Sequence, residues 1–295
     1  MFKGNLVVNY TGHGGSNGWA QERVLQSADM DSWTNAKKLP LFVTATCEFA
    51  PYDDVGNNTA GEQIVLNPNG GAIATYTTVR AVYANANFQL SKAVFSNLFE
   101  PVNGEIPPIG EILRVAKNTS SASVENSRKF ALLGDPSMKL ARPQYDIATI
   151  KINNQPISET DTVRALQEMT VEGYVRNPNG GILTDFNGIL YPTVYDKVQT
   201  ITTLGNDDGS NPAEFELQQN VIFKGRVSVT NGEFKFSFVV PSDIDFSFGN
   251  GKISYYADDG ASRDAAGYYN GFKIGGSADG INDDQPPIVE VFMND

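Results

Sequence analysis

Apolar residues in this chain follow two rhythms, and the change comes near residue 143. Before it, nearly continuous apolar and β-branched runs alternate with stretches of helical period. Leu6 to Tyr10, Leu41 to Thr46 and Gly71 to Thr77 read as short buried strands. Ala60 to Asn67, Asn85 to Phe99 and Pro108 to Asn118 read as helices. The second has Phe88, Leu90, Val94, Phe95, Leu98 and Phe99 as its apolar set, and the third has proline near its start. Leu25 to Lys38 carries Asp29, Asp31 and Ser32 as caps for short helical turns, and Phe130 to Leu140 closes the half. Strand alternating with helix predicts an α/β parallel sheet with helices on its faces.

From Tyr145 the apolar positions alternate with a period of two. Asp146 to Ile152, Leu166 to Val175, Gly188 to Val198, Phe215 to Leu217 with Val221 to Val229, Gly232 to Val240, Lys252 to Ala257 and Phe272 to Ile274 read as strands. No helical period separates them, so the rhythm predicts an antiparallel, immunoglobulin-like β-sandwich. Asn231-Gly232 is the preferred two-residue turn between paired strands, and the run after it puts Phe234, Phe236 and Phe238 on one face as core aromatics. The expected divisions are 1–142, 143–276 and a remainder, 277–295, read as an acidic linker and the start of a further β domain around Ile288, Val289, Val291 and Phe292.

Charge sharpens this division. Residues 1–144 carry twelve basic and twelve acidic side chains, whereas residues 145–295 carry ten and twenty-two, so the formal charge of −12 belongs to the second half. An acidic half repels phosphate, which argues against nucleic acid and anionic membrane surfaces as direct partners. No apolar run is long enough for a transmembrane segment, and a single cysteine excludes an intramolecular disulfide framework. Asp207-Asp208-Gly209, Asp258-Asp259-Gly260 and the loop from Asp279 to Asp284 are oxygen-rich. None has the full EF-hand spacing; solvated acidic turns are the default reading and calcium is the alternative, with no other metal or cofactor expected.

The chain has one histidine and one cysteine. His13, in Gly12-His13-Gly14-Gly15, and Cys47, in Thr46-Cys47-Glu48, each sit just past the C-terminal end of a strand, where an open parallel sheet presents its chemistry. A thiol becomes a nucleophile when an adjacent imidazole takes its proton. The glycines around His13 leave backbone N–H groups able to approach a substrate carbonyl. Two readings stand side by side: a catalytic pair, or a small buried hydrophobe and a surface histidine.

Thr11-Gly12-His13-Gly14-Gly15, Thr46-Cys47-Glu48-Phe49-Ala50, Gly71-Ala72-Ile73-Ala74 and Leu133-Gly134-Asp135-Pro136-Ser137, in this order across residues 1–140, resemble the gingipain peptidase family of the caspase-like clan. The segment around Cys47 and the domain after it look most like the sortase branch that serves the type IX secretion system. The resemblance implies a cysteine peptidase or transpeptidase with His13 and Cys47 catalytic, and the N–H groups of Gly14 and Cys47 as oxyanion donors. Glu48 is implied as a specificity or orienting residue, or a solvated neighbour. Protein substrates with a C-terminal secretion signal, other type IX components and a surface, outer-membrane or secreted location follow from it. In the family, the first strands and the carboxylate that orients the histidine lie upstream of this motif, so the chain is expected to be a fragment that does not turn over substrate. A secreted endopeptidase and a non-catalytic surface binding or adhesion module are the alternatives.

Overall fold

The computed structural model describes residues 4–159, 162–206 and 209–278. The chain divides into two compact units, Met1–Arg142 and Pro143–Asp295.

The first unit is built on a four-stranded sheet in the order Val7–Thr11, Leu41–Ala45, Ala74–Thr78, Phe130–Gly134. Side chains alternate across a strand, so the wholly buried Leu41–Ala45 serves two cores. Leu41, Val43 and Ala45 pack against Leu90, Val94 and Leu98 of helix Ala84–Leu98 and Ile109, Ile112 and Ala116 of helix Ile109–Thr119. Phe42 packs on the other side with Trp19, Trp33, Phe49 and Ile64, the last from helix Ala60–Leu66.

Two expectations need correction here. The first three strands are parallel, but Phe130–Gly134 runs antiparallel to Ala74–Thr78. The intervening segment holds two long helices packed on each other rather than one, so the chain re-enters the sheet at the end it left: the Val79 amide donates to the Lys129 carbonyl at 2.8 Å. Helix Ala84–Leu98 also buries a narrower stripe than its composition suggests. Leu90, Val94 and Leu98 are buried together with Asn87, while Phe88, Phe95 and Phe99 remain 59%, 37% and 44% exposed. At about 100° per residue the three phenylalanines form a separate stripe roughly a third of a turn away. Asn87 accepts from Asn126 Nδ2 at 3.1 Å, which satisfies a polar group on the inner face.

The second unit is β throughout its described elements. Its largest sheet runs Val221–Lys224, Gly188–Tyr195, Lys252–Asp258, Asp264–Tyr269, Tyr145–Ile152, Glu168–Arg176, Glu233–Val239. Two pairings depart from the antiparallel expectation: Asp264–Tyr269 lies parallel to Tyr145–Ile152, and in a smaller sheet Val163–Ala165 lies parallel to Lys273–Ser277. The Asn231-Gly232 turn forms, with φ of 52° and 81°, but the strands it joins do not become one ladder. Val227–Val229 pairs with Gly188–Leu190 and Glu233–Val239 with Glu168–Tyr174, leaving only the Thr230–Glu233 bridge between them. Phe234, Phe236 and Phe238 do share one buried face, where Phe236 and Phe238 stack with Phe223.

The acidic loop at Asp258 closes on itself. Asp259 accepts from three backbone amides and from Arg263 Nε at 2.8 Å. Asp207, Asp208 and 279–295 lie outside the described residues, as does the strand expected around Ile288. Among the described residues, no group of three metal-ligating side chains occurs, and no helix is long and apolar enough to cross a membrane.

Candidate functional site

Strand register decides how His13 and Cys47 are related. Val7–Thr11 pairs in parallel with Leu41–Ala45, and the last pair is Thr11 opposite Ala45. His13 and Cys47 each lie two residues beyond that pair, so they leave the same end of neighbouring strands at matched positions. Neighbouring strands are spaced about 4.8 Å apart. The Gly12 amide still reaches the Ala45 carbonyl at 3.3 Å, carrying the ladder to the foot of both loops.

Past His13 the chain folds into a small ribbon, Gly14–Gly15 against Gly18–Trp19 against Leu25–Gln26, where the sequence shows only a polar excursion. Two-residue strands rich in glycine carry no hydrophobic period, so nothing in the pattern announces them. The ribbon is what holds the histidine. Its carbonyl accepts from the Ala20 amide at 2.8 Å and from the Tyr10 hydroxyl at 2.7 Å, and Tyr10 stacks on Trp19 with centroids 4.4 Å apart. Burial, and after it the charge of Glu22, push the Tyr10 hydroxyl up from its ordinary pKa, so it stays a donor.

Bonded and unbonded pairs alternate along an antiparallel ladder. Since Ala20 bonds His13, Gly14 faces Trp19 in an unbonded pair, and its N–H points out of the ribbon. A side chain could not be accommodated at Gly14, because a Cβ would lie 2.4 Å from Thr46 Oγ1 and 2.8 Å from the Gly18 carbonyl.

The cysteine loop is fastened to the third strand and beyond. The Thr78 hydroxyl donates to the Thr46 carbonyl, the Ala50 amide to the Thr78 carbonyl at 2.9 Å, and the Glu48 amide to the Arg80 carbonyl at 3.4 Å. Glu48 takes a left-handed φ of 50°, which turns the chain so that Phe49 is buried while Cys47 stays half-buried at the rim. The Cys47 amide donates to no partner among the described residues, and the Gly14 amide, in its unbonded pair, points away from the ribbon. The Cys47 thiol is engaged with the Val82 carbonyl at 3.6 Å. The exposed His13 ring makes no hydrogen bond among the described residues.

Glu48 makes no hydrogen bond to His13. It lines a cavity of about 370 Å³ with Ser16, Pro51, Asp53, Asp54 and Arg80. There the Arg80 guanidinium grips Asp53 in a fork, with Nη1 to Oδ1 at 2.9 Å, and holds that carboxyl below the usual carboxylate range. A second cavity, about 470 Å³, is bounded by His13, Gly14, Trp19, Arg23 and Gln26. The sequence reading missed Arg23 and Tyr10. Arg23 carries no motif signal, whereas Tyr10, three residues before the histidine on the same strand, could have been suspected.

The model of peptidase family C25 matches residues 1–141. Among solved structures the chain is similar to dimeric latent PorU from Porphyromonas gingivalis, with 25% identity and a TM-score of 0.44 over 77% of this chain and 22% of that one. It is also similar to the Arg-specific cysteine proteinase gingipain R, with 15% identity and a TM-score of 0.42 over 93% of this chain and 54% of that one. A complex of Porphyromonas gingivalis RgpB pro- and mature domains gives 14% identity and a TM-score of 0.43 over 90% and 55%. The chain thus spans about a fifth of the first and just over half of the others. No curated protein matches.

Proposed function

We propose, from the match of the peptidase family C25 model to residues 1–141, that the protein carries gingipain-type cysteine peptidase chemistry, with Cys47 as nucleophile and His13 as proton carrier. The observation that carries the reading is the register: the two residues stand at matched positions beyond the last paired residues of adjacent parallel strands. The Cys47 thiol gives its proton to the imidazole, and the sulfur attacks a peptide carbonyl carbon to form the C–S bond. The oxyanion meets the N–H groups of Gly14 and Cys47. Collapse breaks the C–N bond, and His13 returns the proton to the leaving amine. Water or an amine then takes the acyl group, which separates peptidase from transpeptidase.

A secreted or surface-associated endopeptidase acting on protein substrates is the reading the family supports. The sortase reading, with cargo bearing a C-terminal signal and other type IX secretion components as partners, rests on the resemblance around Thr46-Cys47-Glu48-Phe49-Ala50. We read the second unit as an immunoglobulin-like accessory domain. The rival is a non-catalytic surface module, and the bond from the Cys47 thiol to the Val82 carbonyl is the observation in its favour.

Labelling with a peptidyl acyloxymethyl ketone, followed by intact mass, tests the proposal. The peptidyl reagent is expected to modify Cys47 far faster than iodoacetamide at equal concentration, and His13→Ala should slow it about tenfold or more, within the range of acid–base contributions. Equal rates with both reagents, unchanged by His13→Ala, would establish the inert module instead.

A further inference from the structure

We propose that the cavity beside His13 is the subsite for an acidic side chain on the segment that departs as the amine, and that Arg23 is its specificity-determining residue; this deepens the peptidase reading and rests on it. The cavity holds about 470 Å³ and is bordered by His13 and Gly14 but by no residue of the cysteine loop. Since His13 serves the leaving amine, a pocket on its side of the bond receives the departing segment.

Arg23 is the one permanently charged residue among those that line this cavity. It forms no ion pair among the described residues. Glu22, the acid next to it, is not part of the lining, and its charge acts on the Tyr10 hydroxyl instead. The turn that presents Arg23 is specific: Ala20 and Arg23 both take left-handed φ values, 60° and 57°, and the Arg23 amide donates to the Ala20 carbonyl at 3.4 Å. Non-glycine residues in this region are held there by their surroundings, and such backbone clusters at functional sites. Gly18, which has Leu25 carbonyl oxygen 2.0 Å from where a Cβ would be, lets the ribbon close tightly enough to frame the pocket.

An arginine without an ion-pair partner among the described residues, lining a concave and mostly polar pocket, matches a carboxylate, which a guanidinium can engage through two parallel N–H bonds. The cavity at Glu48 has the opposite character, with Glu48, Asp53 and Asp54 against Arg80 alone. The two pockets share Ser16, so a bound peptide would meet opposite charge on either side of it.

The test is calorimetric titration of the Cys47→Ala chain with hexapeptide amides that differ only in bearing Asp, Asn or Lys at the first or second position. Asp is expected to bind about tenfold tighter than Asn at one of the two positions, in keeping with the worth of a charged hydrogen bond. Arg23→Gln should erase that preference and Arg23→Glu should shift it to Lys. Equal binding of Asp and Asn, or a preference that survives Arg23→Gln, overturns the subsite. If the peptidyl ketone still labels Cys47 in that case, the peptidase reading stands and only the subsite falls. An Asp preference in a chain whose Cys47 resists labelling leaves an anion site at Arg23 and overturns its assignment to a leaving segment.

Discussion

The His13 carbonyl accepts two hydrogen bonds, from the Ala20 amide and the Tyr10 hydroxyl, and these fix the backbone that carries the imidazole. Tyr10→Phe keeps the stacking on Trp19 and removes one donor. It is expected to cost about 1 kcal/mol in urea unfolding, the usual net worth of such a bond, and to slow His13-dependent labelling of Cys47 while leaving the iodoacetamide rate alone. Thr46 poses the opposite case. Its hydroxyl is buried against Gly14 with no hydrogen-bond partner among the described residues. Thr46→Val preserves the shape and removes the stranded group, so the melting temperature should rise, with a gain of about 1 kcal/mol from the range for unsatisfied buried groups. A fall in melting temperature would show that the hydroxyl is satisfied in solution.

Helix Ala84–Leu98 shows what periodicity can and cannot reveal. Its existence and nearly its bounds follow from the sequence, yet the six-residue apolar set mixes two stripes, and only packing against the sheet selects the one with Leu90, Val94 and Leu98. Leu90→Ala should cost about 2–5 kcal/mol in chemical denaturation, whereas Phe88→Gln, at an exposed position, should change stability by less than about 0.5 kcal/mol. The Asn231-Gly232 turn carries the same lesson. Local chemistry predicts the turn, because both residues accept positive φ. Which neighbours the two strands then choose depends on residues 37 to 71 positions away, Gly188–Leu190 and Glu168–Tyr174, and no local pattern reports that.

At the scale of the molecule, charge separates the units more sharply than fold class does. The second half holds all of the net negative charge, and its carboxylates respond to acid. Asp259 is the strongest case: the Arg263 guanidinium and the amides of residues 261–263 hold its carboxyl far below the ordinary range. A carboxyl depressed in the folded state stabilises above its unfolded pKa, about 3.9, and that contribution is lost as pH falls below this value through the folded one. Thermal unfolding of the full chain should therefore lose stability progressively as pH falls below about 4, and Asp259→Asn should flatten the slope of the transition assigned to the second unit. An unchanged slope would mean that other carboxylates govern the acid response.

Residue order alone establishes the two rhythms, the change near residue 143, most of the strands and helices, and the position of the lone histidine and lone cysteine at strand ends. These are local properties, written in spacing and in the chemistry of turns. The equal offset of His13 and Cys47, the antiparallel last strand, the ribbon with its Tyr10 anchor and the pocket at Arg23 come from pairings between segments tens of residues apart. Register is chosen by whichever long-range packing buries both sheet faces at once, and that choice exists only after the chain has closed on itself.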